Sequence, residues 1–360
     1  MYKRQKYVLD VRDFPDSPFA ACFVKDFSVI EQDPEVNVVV ETIGGVGAAL
    51  DFTERALKAG KSVVTSNKEL VATHGRRLLE LAAEHQAVYL FEASVGGGIP
   101  ILRPLSECMA ANDILEICGI LNGTANYIFT RMVQDGIPFA QALKGAQANG
   151  YAEQNPAADV EGQDTCRKLC ILSSIAFGWH LLPEQVPTTG ITSITLADEA
   201  YADACQRRIK LLGRAIARED GTVCAYVEPT LVDAGEPEAA VPANYNLITC
   251  TAERVGRQSF FGQGAGRFPT ASNVVQDCLT ILSGDKSFYT GKADTAQLDG
   301  SAEAHPYYVR TAAPDDFLRS VTADHWGAGV VTSVVNTYAM LAWARRQLAA
   351  DPACFIAGIR

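Results

Sequence analysis

Between Gly150 and Lys168 (GYAEQNPAADVEGQDTCRK) the ionisable residues Glu153, Asp159, Glu161, Asp164 and Lys168 crowd into one short stretch, broken by Pro156 and Gly162. The stretch runs into Leu169, Ile171, Leu172, Ile175 and Phe177, the pattern of a helix held against the body of a protein. On a helix Asp164 and Lys168, four apart, share a face. Two chemistries suit such a pair. One is an ordinary ion pair contributing about 0.2–0.5 kcal/mol. The other is a carboxylate that receives an ammonium group beside a lysine that moves a proton.

Three other segments carry residues of similar promise. TSNKEL (Thr65–Leu70) sets Lys68 just after a strand, at the carboxyl end where open α/β sheets bind ligands; a surface lysine opening a helix capped by Ser66 or Asn67 fits equally well. EASVGGGI (Glu92–Ile99) closes a strand with an acid and follows it with three glycines. Glycine lets backbone carbonyls turn toward a hard cation or a close neighbour, and it also makes tight turns between domains. LNGTANY (Leu121–Tyr127) is small and polar between apolar segments, which suits a helix entrance beside a ligand or a plain helix cap.

These segments need a scaffold, and the first third of the chain reads as α/β. Val36–Glu41 (VNVVVE) is a β-branched run of the kind that makes a buried parallel strand, and Gly44 and Gly45 turn the chain. A helix over Ala48–Ala59, a strand over Ser62–Thr65, a helix over Gly75–His85 and a strand over Ala87–Phe91 follow. Tyr7–Val11 is one more strand, with no glycine-rich unit before it. A dinucleotide-binding domain normally opens with G-x-G-x-x-G at a helix N-terminus, and that motif does not occur here. A misplaced start, a fragment or a true loss would each account for this, and each predicts weak NAD(P)H binding by the chain as it stands. Beyond residue 92, Ile209–Ala217 has helical spacing, whereas Val223–Val227 and Leu247–Cys250 read as strands of a second sheet. A glycine loop at Phe260–Pro269 precedes a helix from about Thr270 to Ser283. Gly284–Glu303 is polar linker, Tyr307–Arg310 a strand and Val330–Leu348 a helix.

Composition sets the class. The 360 residues carry 31 Lys and Arg against 42 Asp and Glu, a net charge of −11. That excludes a sequence-independent grip on nucleic acid. No apolar run approaches the ~20 residues of a membrane span, and the cytoplasm is the expected compartment. The ten cysteines form no C-x-x-C, and the five histidines no H-E-x-x-H. Cys166 and Cys170, four apart, are read as buried reduced thiols.

Taken in order, the segments resemble homoserine dehydrogenases. The matching runs are VVVETIGG (38–45), VVTSNKEL (63–70), FEASVGGGIPI (91–101), GILNGTANYI (119–128), the stretch from Gly150 to Leu172, and GQGAGRFPTAS (262–272). The resemblance spans roughly residues 7–280. It implies an incomplete Rossmann-type parallel-sheet domain over 1–92, completed by about 263–285. An α+β catalytic and dimerisation domain over 93–262 follows, then a C-terminal segment, 300–360, of uncertain fold. The implied reaction is the reversible NAD(P)-dependent interconversion of L-homoserine and L-aspartate 4-semialdehyde in threonine, methionine and isoleucine biosynthesis. Lys168 would be its acid/base, and Lys68 would reach cofactor and substrate. Glu153 and Asp164 would hold the substrate amino group, with Asp159, Tyr151, Gly123 and Thr124 nearby. Thr42, Gly264 and Gly266 would line the NADP or NAD cleft, and Glu92, Val95, Gly97 and Ile99 would bind sodium. A homodimer is expected. The tail lacks the D-x-P-G turn of an ACT regulatory domain, which argues against threonine feedback. The competing reading is a cofactor-poor homologue that binds a ligand or partner.

Overall fold

The computed structural model describes residues 5–109, 111–284 and 295–360; residues 285–294 of the expected linker lie outside the described residues. In the N-terminal part, β1 (Val8–Leu9) pairs in parallel with β2 (Phe23–Val24), and a short α1 (Ser28–Gln32) leads to β3 (Val38–Glu41). Helix α2 (Gly47–Lys58), β4 (Ser62–Thr65), α3 (Lys68–Glu84) and β5 (Tyr89–Leu90) complete a parallel sheet of order β3-β4-β5. The β-branched text of β4 is buried throughout, as both faces of a covered parallel strand must be. Helix α2 turns Ala49, Thr53, Ala56 and Leu57 inward, a helical stripe that anchors it on the sheet. Helix α3 begins two turns before the expected Gly75. The Asn67 side chain accepts the Leu70 N–H at 3.0 Å and caps it, so Lys68 opens the helix and Asn67, of the two expected caps, is the one that serves.

The second sheet is built by β6 (Ile114–Ile120), β7 (Arg207–Ala217), β8 (Val223–Asp233), β9 (Tyr245–Ala252) and β10 (Gly256–Gln263). Helices α4 (Gly123–Asp135), α5 (Phe139–Ala148), α6 (Ala157–Val160), α7 (Gln163–Phe177) and α8 (Leu196–Ala204) lie between β6 and β7 in the chain, and α4, α7 and α8 pack on β7. The helical spacing read in Ile209–Ala217 is corrected here. That segment is strand β7, paired along its length with β8 and also with β6. A central strand covered on both faces loses the two-residue alternation that would betray it, and a run such as RRIKLLGRAIA then mimics a helix. Helix α9 (Arg267–Leu282) starts three residues before the expected Thr270 and packs back on the parallel sheet, against β4 and residues 92–94.

The tail is a well-formed unit. It comprises β11 (Ala304–His305), β12 (Tyr307–Arg310), α10 (Asp316–Val321), β13 (Thr322–Trp326), β14 (Gly329–Thr332), β15 (Val335–Asn336), α11 (Thr337–Ala350) and β16 (Phe355–Ile359). The expected helix over Val330–Leu348 therefore starts only at Thr337, where Asn336 caps it by accepting the Ala339 N–H at 3.0 Å; Val330 and Val331 belong to β14. Elements β12, α10, β13, β14, α11 and β16 form an antiparallel βαββαβ unit in the ferredoxin-like arrangement. Strand β16 pairs in parallel with β8 through Gly358–Thr230 and Ile359–Leu231. One continuous sheet results, in the order β10-β9-β6-β7-β8-β16-β12-β14-β13.

Candidate active site

Strand β6 ends at Ile120, and the next residues place the first side chains of the site. Asn122 caps α4 by accepting the Ala125 N–H at 2.7 Å, and its Nδ2 donates to Asp159 Oδ1 at 2.7 Å and to Asp164 Oδ2 at 2.8 Å. Helix α7 brings Asp164 and Lys168 to the same place. Helix α3, opening at the carboxyl end of β4, contributes Lys68. Asp164, 2% exposed, stands between the two lysines: Lys68 Nζ is 2.6 Å from Oδ1 and Lys168 Nζ 2.7 Å from Oδ2. Lys168 Nζ also donates to the Leu121 carbonyl at 2.8 Å.

The two lysines differ because their surroundings differ. Burial pushes the Lys168 amine below the ordinary lysine value; Asp164 pulls the other way and Lys68 adds to the lowering. Lys68, with 41% of its side chain exposed, is raised, chiefly by the Asp164 charge. Burial works against the Asp164 carboxylate, but Lys168 and Lys68 together hold it below the usual carboxylate range. Asp159 is raised, first by burial and then by the Asp164 charge beside it. The network thus holds one lysine suited to losing a proton and one suited to staying charged.

The remaining expected residues take no part in these ion pairs. Thr124 donates its hydroxyl to the Tyr151 carbonyl at 2.7 Å, and the Tyr151 ring, 42% exposed, lies 5.1 Å from that of Tyr127. Gly123 opens α4 so close to β9 that a Cβ there would stand 2.5 Å from the Asn244 carbonyl oxygen. Glu153 sits outside the ion-pair network, on an exposed turn. Thr42 is exposed at the end of β3, and beyond it Gly44 and Gly45, at φ +81° and +67°, border open space. Gly264 is buried and Gly266 exposed in the loop before α9; the Gly98 N–H donates to the Gln263 carbonyl at 3.0 Å and ties that loop to the triple glycine.

Glu92, expected to hold sodium together with backbone carbonyls, is buried and already meets three backbone amides. Glu92 Oε1 accepts the Ile101 and Leu102 N–H groups at 2.6 and 2.7 Å, and Oε2 accepts that of Arg103 at 2.8 Å. Accepting these amides anchors a helical turn, and Oε2, which accepts a single N–H, keeps capacity for a further partner. The Gly97 and Ile99 carbonyls face one donor, Asn273 Nδ2, at 2.7 and 3.4 Å. Sequence reasoning missed Asn273 and, one turn on, Asp277, whose carboxylate accepts the Glu92 N–H at 2.9 Å. Burial raises that carboxyl to about 7. It also missed Asn122 and Asn246 as more than capping or core residues. The position of Asn122 in LNGT was a usable signal; for Asn246, inside a strand, there was none.

Residues 100–279 match the homoserine dehydrogenase family, and residues 16–92 match the homoserine dehydrogenase NAD binding domain. A homoserine dehydrogenase of Synechocystis sp. is 39% identical over 297 residues, 81% of this chain and 68% of the relative. The chain spans about two thirds of the length of such relatives. Among solved structures, a homoserine dehydrogenase from Thiobacillus denitrificans superposes with a TM-score of 0.83 at 33% identity, covering 94% of this chain and 85% of that one. A hyperthermophilic archaeal homoserine dehydrogenase in complex with NADPH gives 0.59 at 26% identity, over 69% of this chain and 72% of that one. By sequence and by fold, the chain belongs to the homoserine dehydrogenases, a family of NAD(P)-dependent oxidoreductases.

Proposed function

We propose that this chain interconverts L-homoserine and L-aspartate 4-semialdehyde with NADP or NAD, in the biosynthesis of threonine, methionine and isoleucine. The observation that carries the reading is Asp164 held between Lys68 and Lys168. Oxidation of an alcohol needs a base at the hydroxyl with a pKa nearer neutrality than a free lysine's. Lys168, pushed down by burial, is that base; in the reverse direction it returns the proton. Lys68, kept cationic by Asp164, steadies the substrate oxygen as charge develops there. Asp164, Asp159 and Glu153 offer carboxylates to the substrate ammonium group, and Gly123, Thr124 and Tyr151 shape its pocket.

A nicotinamide cofactor supplies the hydride acceptor. The open space bordered by Gly44 and Gly45, beside Thr42 and near the opening of α3, fits its nicotinamide half, with Lys68, Gly264 and Gly266 as further contacts. The NADPH bound by the archaeal relative supports the choice of cofactor. Sodium would be held at Glu92, Val95, Gly97 and Ile99 by the Glu92 carboxylate, whose Oε2 accepts a single N–H, and by backbone carbonyls, two of which also face Asn273; no step of the reaction runs through it. We also propose a homodimer and a cytoplasmic location. Light scattering that reports a monomer at micromolar concentration would contradict the dimer.

The reaction is tested by supplying the protein with NADP and L-homoserine and following NADPH fluorescence. Formation of NADPH with homoserine and not with serine is expected. Equal rates with both would overturn the substrate assignment.

A further inference from the structure

The Leu121 carbonyl oxygen is where two buried side chains meet. Lys168 Nζ donates to it at 2.8 Å and Asn246 Nδ2 at 2.9 Å. Asn246, on β9, is fully buried, and its Oδ1 has no hydrogen-bond partner among the described residues. The sense of the amide follows from its neighbour: turned over, Oδ1 would face the Leu121 oxygen. A side chain that leaves a buried acceptor unmatched is a poor packing element. Its donor end is therefore the part with a task.

The other side of Asn246 touches the loop before α9. A Cβ on Gly264 would stand 2.1 Å from both Cγ and Nδ2 of Asn246 and 2.4 Å from Oδ1. Gly264 is not among the glycines with positive φ, so the backbone there does not demand glycine. The Asn246 amide does. A Cβ on Gly97 would in turn lie 2.6 Å from the Gly264 carbonyl oxygen. A line of contacts runs from the triple glycine through Gly264 and Asn246 to Leu121 O and Lys168.

We propose that Asn246 is a positioning residue for Lys168, sharing its carbonyl acceptor and tying its placement to the Gly262–Gly266 loop. This rests on the reading of Lys168 as acid/base. By taking part of the Leu121 oxygen's capacity, the amide weakens that oxygen's hold on an ammonium group and favours the neutral amine. Gly264 is then a glycine on account of Asn246.

Three variants test this: Asn246→Ala, Gly264→Ala and the double variant. In the unliganded protein Gly264→Ala should lower the thermal unfolding midpoint, because its Cβ displaces the amide. Asn246→Ala removes the clashing atoms, so the double variant should unfold no lower than Asn246→Ala alone. Losses that add would overturn the contact. In homoserine oxidation, Asn246→Ala should lower kcat about tenfold, the scale of one lost hydrogen bond, with KM for homoserine within twofold. The acid limb of its kcat/KM profile should move to higher pH, and the double variant should match it rather than multiply the two losses. An unmoved limb would overturn the positioning role. Asn246→Ser, with the same expectations, serves where alanine does not fold. A parent protein that does not oxidise homoserine would overturn the role of Lys168, and this proposal with it. The unfolding midpoints would still show separately whether the Gly264–Asn246 contact holds.

Discussion

Among the described residues, one buried polar network surrounds Asp164 and another lies where the C-terminal βαββαβ unit joins β8. In the second, donors and acceptors are matched. Glu228 accepts Tyr307 Oη at 2.9 Å on one oxygen and meets His305 Nε2 at 2.9 Å on the other. Arg360, which can only donate, lies 3.2 Å from His305 Nδ1, so Nδ1 accepts and Nε2–H donates to Glu228. Glu303 pairs with Arg214 and Arg360, and Arg214 also with Glu116. Around Asp164, by contrast, one carboxylate serves two lysines, one of them buried and the other partly open to solvent. A matched network holds two units together. A mismatched one leaves a group whose proton is easily moved, and that is where chemistry is to be sought.

The largest expected effect separates the networks by function. Lys168→Ala should lower kcat for homoserine oxidation by about 10²–10⁴ while leaving the unfolding midpoint nearly unchanged, because Lys68 still pairs with Asp164. A kcat within threefold of the parent would remove Lys168 from the chemistry. Asp164→Asn should act on stability as well, since it strips two lysines of their counter-charge. Removing one partner of a buried pair costs about 3–5 kcal/mol, measured by urea unfolding at neutral pH. Because the folded Asp164 carboxyl is depressed, its stabilisation is present above the unfolded value of about 3.9. The gap between variant and parent should therefore shrink as the pH falls below that value and through the folded one. A gap that widens in acid would contradict the pairing.

At the C-terminal junction, Glu228→Ala strands the His305 and Tyr307 donors and should cost about 1–3 kcal/mol of stability, with kcat within threefold. A large loss of kcat at unchanged stability would blur the contrast between the two networks. The pH profile sharpens the same contrast: the rising limb of kcat/KM for homoserine oxidation should have its midpoint below the ordinary lysine value of 10.5. A midpoint at or above 10.5 would mean that burial does not govern Lys168. The smallest effect belongs to Glu153, exposed and outside the ion-pair network. Glu153→Gln should raise the homoserine KM about tenfold, the low end for a charge-assisted hydrogen bond, and leave the cofactor KM in place. An equal rise in both would move Glu153 to the cofactor side.

Local text alone determined the parallel strands of the first unit, since β-branched runs such as VVVE and SVVT favour the extended state. It also determined that Asp164 and Lys168 share a helix face, because four residues make about one turn. Lys68, almost a hundred positions earlier in the chain, joined them only through the packing of α3 against α7. Tertiary structure likewise decided that Ile209–Ala217 is a strand: its neighbours β6 and β8 impose that state on text whose own periodicity suggests a helix. The same holds for Glu92, whose carboxylate meets three amides only because residues 101–103 fold back onto it. Composition and spacing act over a few residues, while charge pairing, burial and strand partnership depend on which distant segments meet. Function in this protein rests on such meetings, so the sequence could name most of the residues without deciding what each one touches.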